Sequence, residues 1–211
     1  MQAQSTKRNG MTIKKLAVRS MVAVALLGSV VIVVGHQQVA SAQSGPAWGP
    51  KWTAKGELIL PRGYHQWVFL GSPLTPNALN GGEAGFPEYH NVYVQPEAFA
   101  AYRKTGEWPE GTIMFKELQL TRPGTNPDGS SVEPSGRGYF PGARNGVDIS
   151  VKDSKRFKDT NGWGFFNFGH HAPPYAKTAA AQPKDACAGC HIANATNMVF
   201  SKFYAPILNA Q

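Results

Sequence analysis

Both cysteines of the chain lie in one short motif, Cys187-Ala188-Gly189-Cys190-His191. Two thiols with this spacing, followed directly by a histidine, are the pattern of c-type haem attachment. On one helical turn both thiols can reach the vinyl groups of a single haem, while the imidazole reaches its iron. A structural zinc site would need four ligands, and a thioredoxin-like redox pair would need a βαβ setting but no histidine. The motif therefore predicts one covalent haem c with His191 as the iron ligand.

The sixth position of such an iron has no clear ligand in the sequence. Met198 follows His191 by seven residues, about two helical turns, and cannot easily reach the opposite haem face. Met114 could approach from a strand, and a simple electron-transfer cytochrome would need a methionine of this kind. An iron without a sixth protein ligand can bind a small molecule, which favours catalysis or gas binding over electron transfer alone.

The elements that position this motif are predicted to be mostly short strands. The chain has 23 Gly and 16 Pro, too many for a bundle of long helices, so a four-helix cytochrome is excluded. In the central strand, Lys116 shares a face with Met114, Leu118 and Leu120. A lysine among apolar neighbours must neutralise, pair or react. Bounded β-branched and aromatic runs predict strands at Tyr64–Gly71, Glu88–Gln95, Thr112–Thr121, Val147–Lys152 and Gly162–Gly169.

A few short helices complete the prediction. Pro96–Lys104 has a proline at its first turn. Asp185 is a suitable N-cap for a helix over Ala186–Ala193 that carries the haem motif, and a second helix is expected over Thr196–Tyr204. Residues 122–137 have the composition of a loop. We expect an α+β fold with a mostly antiparallel sheet and the haem c motif on a C-terminal helix.

The charge of the chain is concentrated at its N-terminus. Five of the 21 basic residues, and no acidic residue, precede position 42. They lead into the apolar run Met21–Val34 and then Val39-Ala40-Ser41-Ala42, which together predict a signal peptide over residues 1–42, with an uncleaved anchor as the alternative. The 16 remaining basic residues nearly balance 13 acidic ones, which argues against nucleic acid as a partner. We expect a flexible leader at 43–56, a single haem domain at 57–211 and a periplasmic location.

An ordered series of short motifs runs from Gly56 to Tyr204. Its members are Pro61 with Trp67-Val68, Leu74-Thr75-Pro76-Asn77, Val92-Tyr93-Val94 with Pro96-Glu97, Thr105-Gly106-Glu107, Gly111-Thr112 with Lys116-Glu117-Leu118, Gly138-Tyr139-Phe140, Val151-Lys152-Asp153-Ser154-Lys155-Arg156-Phe157 and Met198-Val199-Phe200. In this series the chain resembles the cytochrome P-460 family, exported mono-haem cytochromes that oxidise hydroxylamine.

The resemblance implies a specific chemistry for Lys116. In the family a lysine at this place bonds to the porphyrin edge, in addition to the two thioether bonds expected from Cys187 and Cys190. The resemblance further implies a five-coordinate iron that oxidises hydroxylamine to nitrous oxide or other nitrogen oxides. The resemblance also implies nitric oxide as a ligand, a soluble c-type cytochrome as electron acceptor, and a homodimer. The related cytochrome c′-beta proteins share the fold, lack the lysine and bind gases, so they supply the alternative function.

Three residues are candidates for the face of the haem opposite His191. His90 shares a strand face with Val92 and Val94 and can act in proton transfer, although the family can carry arginine there. Gln182 aligns with a variable distal position of the family. Phe86 is a candidate aromatic cap over the iron.

Overall fold

The computed structural model describes residues 45–208. The predicted signal peptide, residues 1–42, lies outside the described residues. None of the helices between residues 45 and 208 is long and apolar enough to cross a membrane.

A five-stranded antiparallel sheet forms the centre of the fold. The described strands are β1 (Leu58–Ile59), β2 (Val68–Gly71), β3 (Tyr89–Val94), β4 (Ile113–Thr121), β5 (Ser131–Glu133), β6 (Gly136–Gly138), β7 (Pro141–Lys152), β8 (Trp163–Asn167) and β9 (Thr178–Ala179). The central sheet has the order β2-β3-β4-β7-β8, while β1 pairs with β9 and β5 with β6. The predicted fold class, α+β with a mostly antiparallel sheet, is confirmed.

The helices are short. They are α1 (Pro96–Thr105), α2 (Gly189–Asn194) and α3 (Ala205–Leu208), with 3₁₀ helices at Tyr64–Gln66, Asn77–Leu79, Lys158–Thr160 and Ser201–Phe203 and a π-helix at Lys184–Ala188. Helix α1 begins at the predicted proline and ends at Thr105, and the following Gly106, with a φ of 73°, provides the left-handed cap.

Each of the five predicted strand segments contributes one strand of the central sheet, with two changes at their ends. The first segment begins with a 3₁₀ turn at Tyr64–Gln66, which follows Gly63 with a φ of 73°. Strand β7 begins at Pro141 rather than Val147 because its first half continues the pairing with β4, as in the pair Gln119 and Arg144. The segment predicted to be a loop at 122–137 forms most of the small β5-β6 hairpin, which ends at Gly138.

The central sheet has an apolar core on each face, because alternate side chains of its strands point to opposite sides. One core includes Met114 and Phe165 with residues of α1 and of the C-terminal segment. The other includes Phe115, Ile149 and Phe166 with β1 and β9. A strand that is buried on both faces is apolar at nearly every position, as β4 is from Ile113 to Phe115.

The segment predicted to be a flexible leader packs onto the protein where it is described. Trp48 contacts the first core and Trp52 the second. Trp52 also pairs with Leu58 in an isolated bridge and packs 5.7 Å from the ring of Phe166. The Gly, Pro and Ser content of this segment suggested flexibility, but its two tryptophans stabilise the packed arrangement because burial removes large apolar surfaces from water.

The helix predicted over Thr196–Tyr204 is wrong. Thr196 and Val199 form an isolated β-bridge, and Asn197 and Met198 both have positive φ, 48° and 68°. Two consecutive left-handed residues cannot continue a right-handed helix. Pro206 lies inside α3 rather than beyond the last helix, since a proline fits the first helical turn. The N-cap predicted for the preceding helical segment, Asp185, is also wrong. That segment begins at Lys184 as a π-helix, so Asp185 lies inside it and Pro183 is the N-cap residue.

Candidate functional site

A cavity of about 550 Å³ lies between one face of the central sheet and the C-terminal segment. Its volume is in the range of cofactor sites. Strands β3, β4, β7 and β8 supply one wall, and residues 186–204 supply most of the other. Six of the seven predicted site residues line it, namely Phe86, His90, Lys116, Cys187, Cys190 and His191.

The two thiols of the motif lie at the join of two short helical pieces. Cys187 belongs to the π-helix and Cys190 to α2. Both are free, Cys187 half-buried and Cys190 exposed. Burial raises the pKa of the Cys187 thiol, and the nearby Asp148 carboxylate raises it further. Two unbonded thiols at the edge of an apolar cavity are the donor set that covalent haem attachment requires.

His191 is held in a fixed orientation beside the cavity. Its Nδ1 donates a hydrogen bond to the carbonyl oxygen of Met198 at 2.8 Å. The rings of Phe165 and Phe200 lie 4.6 and 4.8 Å from the imidazole, between centroids. Burial lowers the pKa of His191, which keeps the ring neutral, and the bond at Nδ1 leaves Nε2 for an iron. The residues present therefore fit a haem with His191 as the axial ligand.

Met198 belongs to the same side of the cavity as His191. Its carbonyl holds the imidazole, and its side chain is 3% exposed, with Sδ 3.7 Å from the Nδ2 atom of Asn161. The expectation that Met198 does not reach the opposite haem face stays a prediction. Met114 lines the cavity from β4 and is also buried.

Lys116 forms an ion pair with a residue that the sequence did not single out. Its Nζ lies 2.9 Å from Oδ2 of Asp148, which is its direct neighbour across the β4-β7 pairing. Both side chains are about one quarter exposed, 27% and 23%. Of the expected neighbours on the same face, Met114 and Leu118 are buried, whereas Leu120 is 37% exposed. Lys116 is thus half-buried and paired.

Asp148 is the centre of a polar cluster at the cavity. Its Oδ1 accepts hydrogen bonds from Asn167 Nδ2 at 2.8 Å and His170 Nε2 at 3.1 Å. Burial by itself would raise the pKa of Asp148, but Lys116 and His170 outweigh it and lower the pKa. The sequence held one signal for this residue, since Asp148 and Ser150 alternate with Val147, Ile149 and Val151 and so had to share a face.

His90 presents an unsatisfied nitrogen in the same region. Burial, followed by the charge of Lys116, lowers the pKa of His90 to about 4, so the ring is neutral at pH 7. The ring makes a hydrogen bond with the backbone of Phe86. Its Nε2 atom is buried without a hydrogen-bond partner among the described residues. A buried acceptor in a cavity wall is available to a ligand.

Phe86 lies at the mouth of the cavity and is 42% exposed. Lys116 Nζ lies over the Phe86 ring, 4.6 Å from its centroid. The rings of His90 and His170 are nearly perpendicular to the Phe86 ring, with centroids 5.7 and 5.9 Å away.

Gln182 is the predicted site residue that does not line the cavity. Its backbone nitrogen donates to the carbonyl of Phe165 at 2.7 Å, and a role for its side chain stays a prediction.

The adjacent pair His170 and His171 is divided between two surroundings. His170 faces Asp148, whereas Nδ1 of His171 donates to the Ala172 carbonyl at 2.7 Å. No group of three or more His, Cys, Asp or Glu side chains within residues 45–208 could hold a metal ion by itself.

The comparisons with known proteins agree with the geometry of the cavity. The family model described as Cytochrome P460 matches residues 61–201 of the chain, which include all the cavity-lining residues of the central sheet and the Cys-x-x-Cys-His motif. None of the curated proteins compared with the chain matches it.

Proposed function

Because the chain belongs to the cytochrome P460 family, and is therefore a haem cytochrome, we propose that it oxidises hydroxylamine at one haem c. The haem is held by thioether bonds from Cys187 and Cys190 and by His191. The observation that carries the proposal is the single cavity that joins this attachment motif to Lys116, Asp148 and His90. Export by the predicted signal peptide places the reaction in the periplasm, with a soluble c-type cytochrome as the electron acceptor and a homodimer as the working form.

When bound, the haem iron supplies a site for hydroxylamine and takes up its electrons. The protein holds and positions what surrounds that site. Phe165 and Phe200 pack against His191, and the Met198 carbonyl keeps its Nδ1 protonated. On the cavity wall, the neutral His90 ring accepts a hydrogen bond from the substrate at Nε2. This role suits a ring with a low pKa, since it does not take up a proton at pH 7.

Asp148 is the proton acceptor in this proposal. In the present pairing its pKa is lowered by the Lys116 ammonium group. A bond between Lys116 Nζ and the porphyrin edge, as the family resemblance implies, would remove that positive charge. The pKa of Asp148 would then rise, because burial would be opposed by His170 alone, and a higher pKa makes the carboxylate a better general base. Formation of the lysine bond would therefore change the proton affinity of Asp148, because Lys116 Nζ lies 2.9 Å from its Oδ2.

A specific observation also favours the alternative, a nitric oxide-binding cytochrome of the c′-beta type. Lys116 is satisfied by its ion pair with Asp148, so a lysine that never reacts with the haem would still have a structural partner. The two functions share the cavity and differ in whether Lys116 becomes bonded to the porphyrin.

The visible spectrum and intact mass of the haem-loaded protein and its Lys116→Ala variant test the proposal. A strongly red-shifted, broad Soret band that the variant loses, together with loss of hydroxylamine oxidation, is the expected result. Lys152→Ala is the matched control, because Lys152 lies on β7 outside this cavity with its Nζ over Trp163. An ordinary haem c spectrum in all three proteins would instead assign the gas-binding function.

A further inference from the structure

A continuous row of polar side chains leads from the cavity to solvent. Asp148 lines the cavity and faces Lys116 through Oδ2, while its Oδ1 lies 3.1 Å from Nε2 of His170. The side chain of His170 is 44% exposed. His170 therefore contacts a cavity residue with one ring nitrogen and has much of its remaining surface in water.

The backbone around His170 is shaped to place the ring there. Gly146 lies beneath it on β7, and a Cβ at that position would stand 3.1 Å from His170 Cδ2 and 2.9 Å from the carbonyl oxygen of Gly169. Gly169 has a φ of 124°, which only glycine adopts readily. Asn167 donates to Asp148 and accepts from the Gly169 nitrogen at 3.0 Å, so one side chain links the carboxylate to the turn.

The charged and titratable groups around His170 favour Asp148 as its partner. Lys116 lies beyond Asp148, and the Phe86 ring packs against both His170 and His90. The charges that act on His90 are those of Lys116, Glu88 and Asp148. His171 is directed to the Ala172 carbonyl. Histidine is also the side chain that exchanges protons near neutral pH.

We propose that His170 carries protons between Asp148 and solvent. The proposal rests on the proposed function, because oxidation of hydroxylamine releases protons into the cavity. In its Nδ1–H tautomer, His170 accepts the proton of protonated Asp148 at Nε2 and releases its Nδ1 proton to water. The product is the Nε2–H tautomer, which donates to the Asp148 carboxylate across the 3.1 Å contact. Exchange with solvent restores the Nδ1–H tautomer, so the ring is neutral before and after each transfer. Electrons do not follow this route.

The test compares haem-loaded wild type with His170→Gln, which keeps a hydrogen-bond donor for Asp148 but cannot carry a proton. In weakly buffered solution, hydroxylamine oxidation by the variant should fall by roughly tenfold, and added imidazole should restore it. A pH-indicator dye in the same mixing experiment should show proton release lagging behind haem reduction. His171→Gln is the matched control and should behave as wild type.

A measurement without turnover checks the contact itself. In protein with ¹⁵N-labelled histidine, reduced and bound to carbon monoxide, the His170 Nε2 proton should exchange slowly with water and should exchange faster in Asp148→Asn. Equal rates in wild type and His170→Gln without buffer, or an Nε2 signal that Asp148→Asn leaves unchanged, would overturn the proposal. A wild-type protein that does not oxidise hydroxylamine would remove the proposed function, and the proton route with it.

Discussion

At the scale of single residues, the chemistry of the cavity depends on which side chains share one small volume. Lys116, Asp148 and His90 come from three different strands and meet because β3, β4 and β7 are neighbours in the sheet. Lys116 acts on the other two residues, since its positive charge lowers the pKa of both Asp148 and His90. Replacement of Lys116 by an uncharged residue therefore changes the ionisation of both.

Asp148→Asn is expected to slow hydroxylamine oxidation about 100-fold while leaving haem attachment intact, because the amide keeps the shape but cannot accept a proton. Steady-state rates and the visible spectrum measure the two effects separately. Asp159→Asn, an exposed aspartate in a 3₁₀ helix, is the control. Full activity in Asp148→Asn would show that the proton leaves by another group.

His90 makes the stability of the protein depend on pH. Its pKa is about 4 when folded and 6.5 in the unfolded reference. Between these values the unfolded chain binds a proton that folded His90 does not, so the free energy of unfolding falls as the pH decreases from 6.5 to 4. His90→Leu should remove about 2 kcal/mol of this change, after allowance for partial exposure.

Urea unfolding of wild type and His90→Leu at a series of pH values measures that contribution. Above pH 7 the difference between the two proteins should be constant, which serves as the internal control. Parallel curves across the whole range would contradict a buried neutral His90.

At the scale of elements, the alternation of each strand decides which residues reach the cavity and which fill the opposite core. Strand β8 places Trp163 and Phe165 in the core on one face of the sheet and Phe166 in the core on the other. Gly164 shares the second side, where the ring of Phe157 occupies the space that a side chain would need. The turn before β8 is thereby packed directly onto its backbone.

Gly164→Ala should destabilise the protein by about 1–3 kcal/mol, the usual effect of an added methyl group in a filled core. A Cβ at this position would lie only 2.4 Å from Phe157 carbons. Gly138→Ala is the control, since its nearest contact would be an ordinary 3.9 Å from Phe140. Thermal unfolding compares the two, and equal melting temperatures would show that Phe157 moves aside easily.

At the scale of the whole molecule, Gln95 joins parts of the chain that are distant in sequence. Its side chain is 2% exposed. Nε2 donates to the carbonyls of Gly111 and Trp48 at 3.2 and 3.4 Å, and Oε1 accepts from the Ile113 nitrogen at 2.7 Å. The end of β3, the start of β4 and the N-terminal segment are thus held by one buried amide.

Gln95→Met should reduce the free energy of unfolding by about 2–3 kcal/mol, because a thioether of similar size leaves buried backbone groups without partners. Gln66→Met, at an exposed position, is the control and should have little effect. Urea unfolding measures both. If Gln95→Met lowers the free energy of unfolding no more than the control does, water satisfies the backbone groups that the Gln95 amide binds in the wild type.

The sequence by itself predicted the haem attachment motif and determined the fold class. The Cys-x-x-Cys-His spacing is local, and the period-2 alternation of the strands is visible without knowing their partners, so the five strand segments, the α1 helix and the face of Lys116 were all predictable. The ordered motifs also indicated the family, which the match over residues 61–201 confirms.

Only the tertiary structure decided which groups surround the cavity. Asp148 and Lys116 are 32 residues apart in the sequence and meet through the register of β4 and β7, which alternation does not specify. The left-handed pair Asn197 and Met198 replaced a predicted helix because the Met198 carbonyl binds His191. Such contacts depend on long-range packing, which local propensity does not contain, and they determine how this chain positions His191 and which groups Asp148 contacts in the cavity.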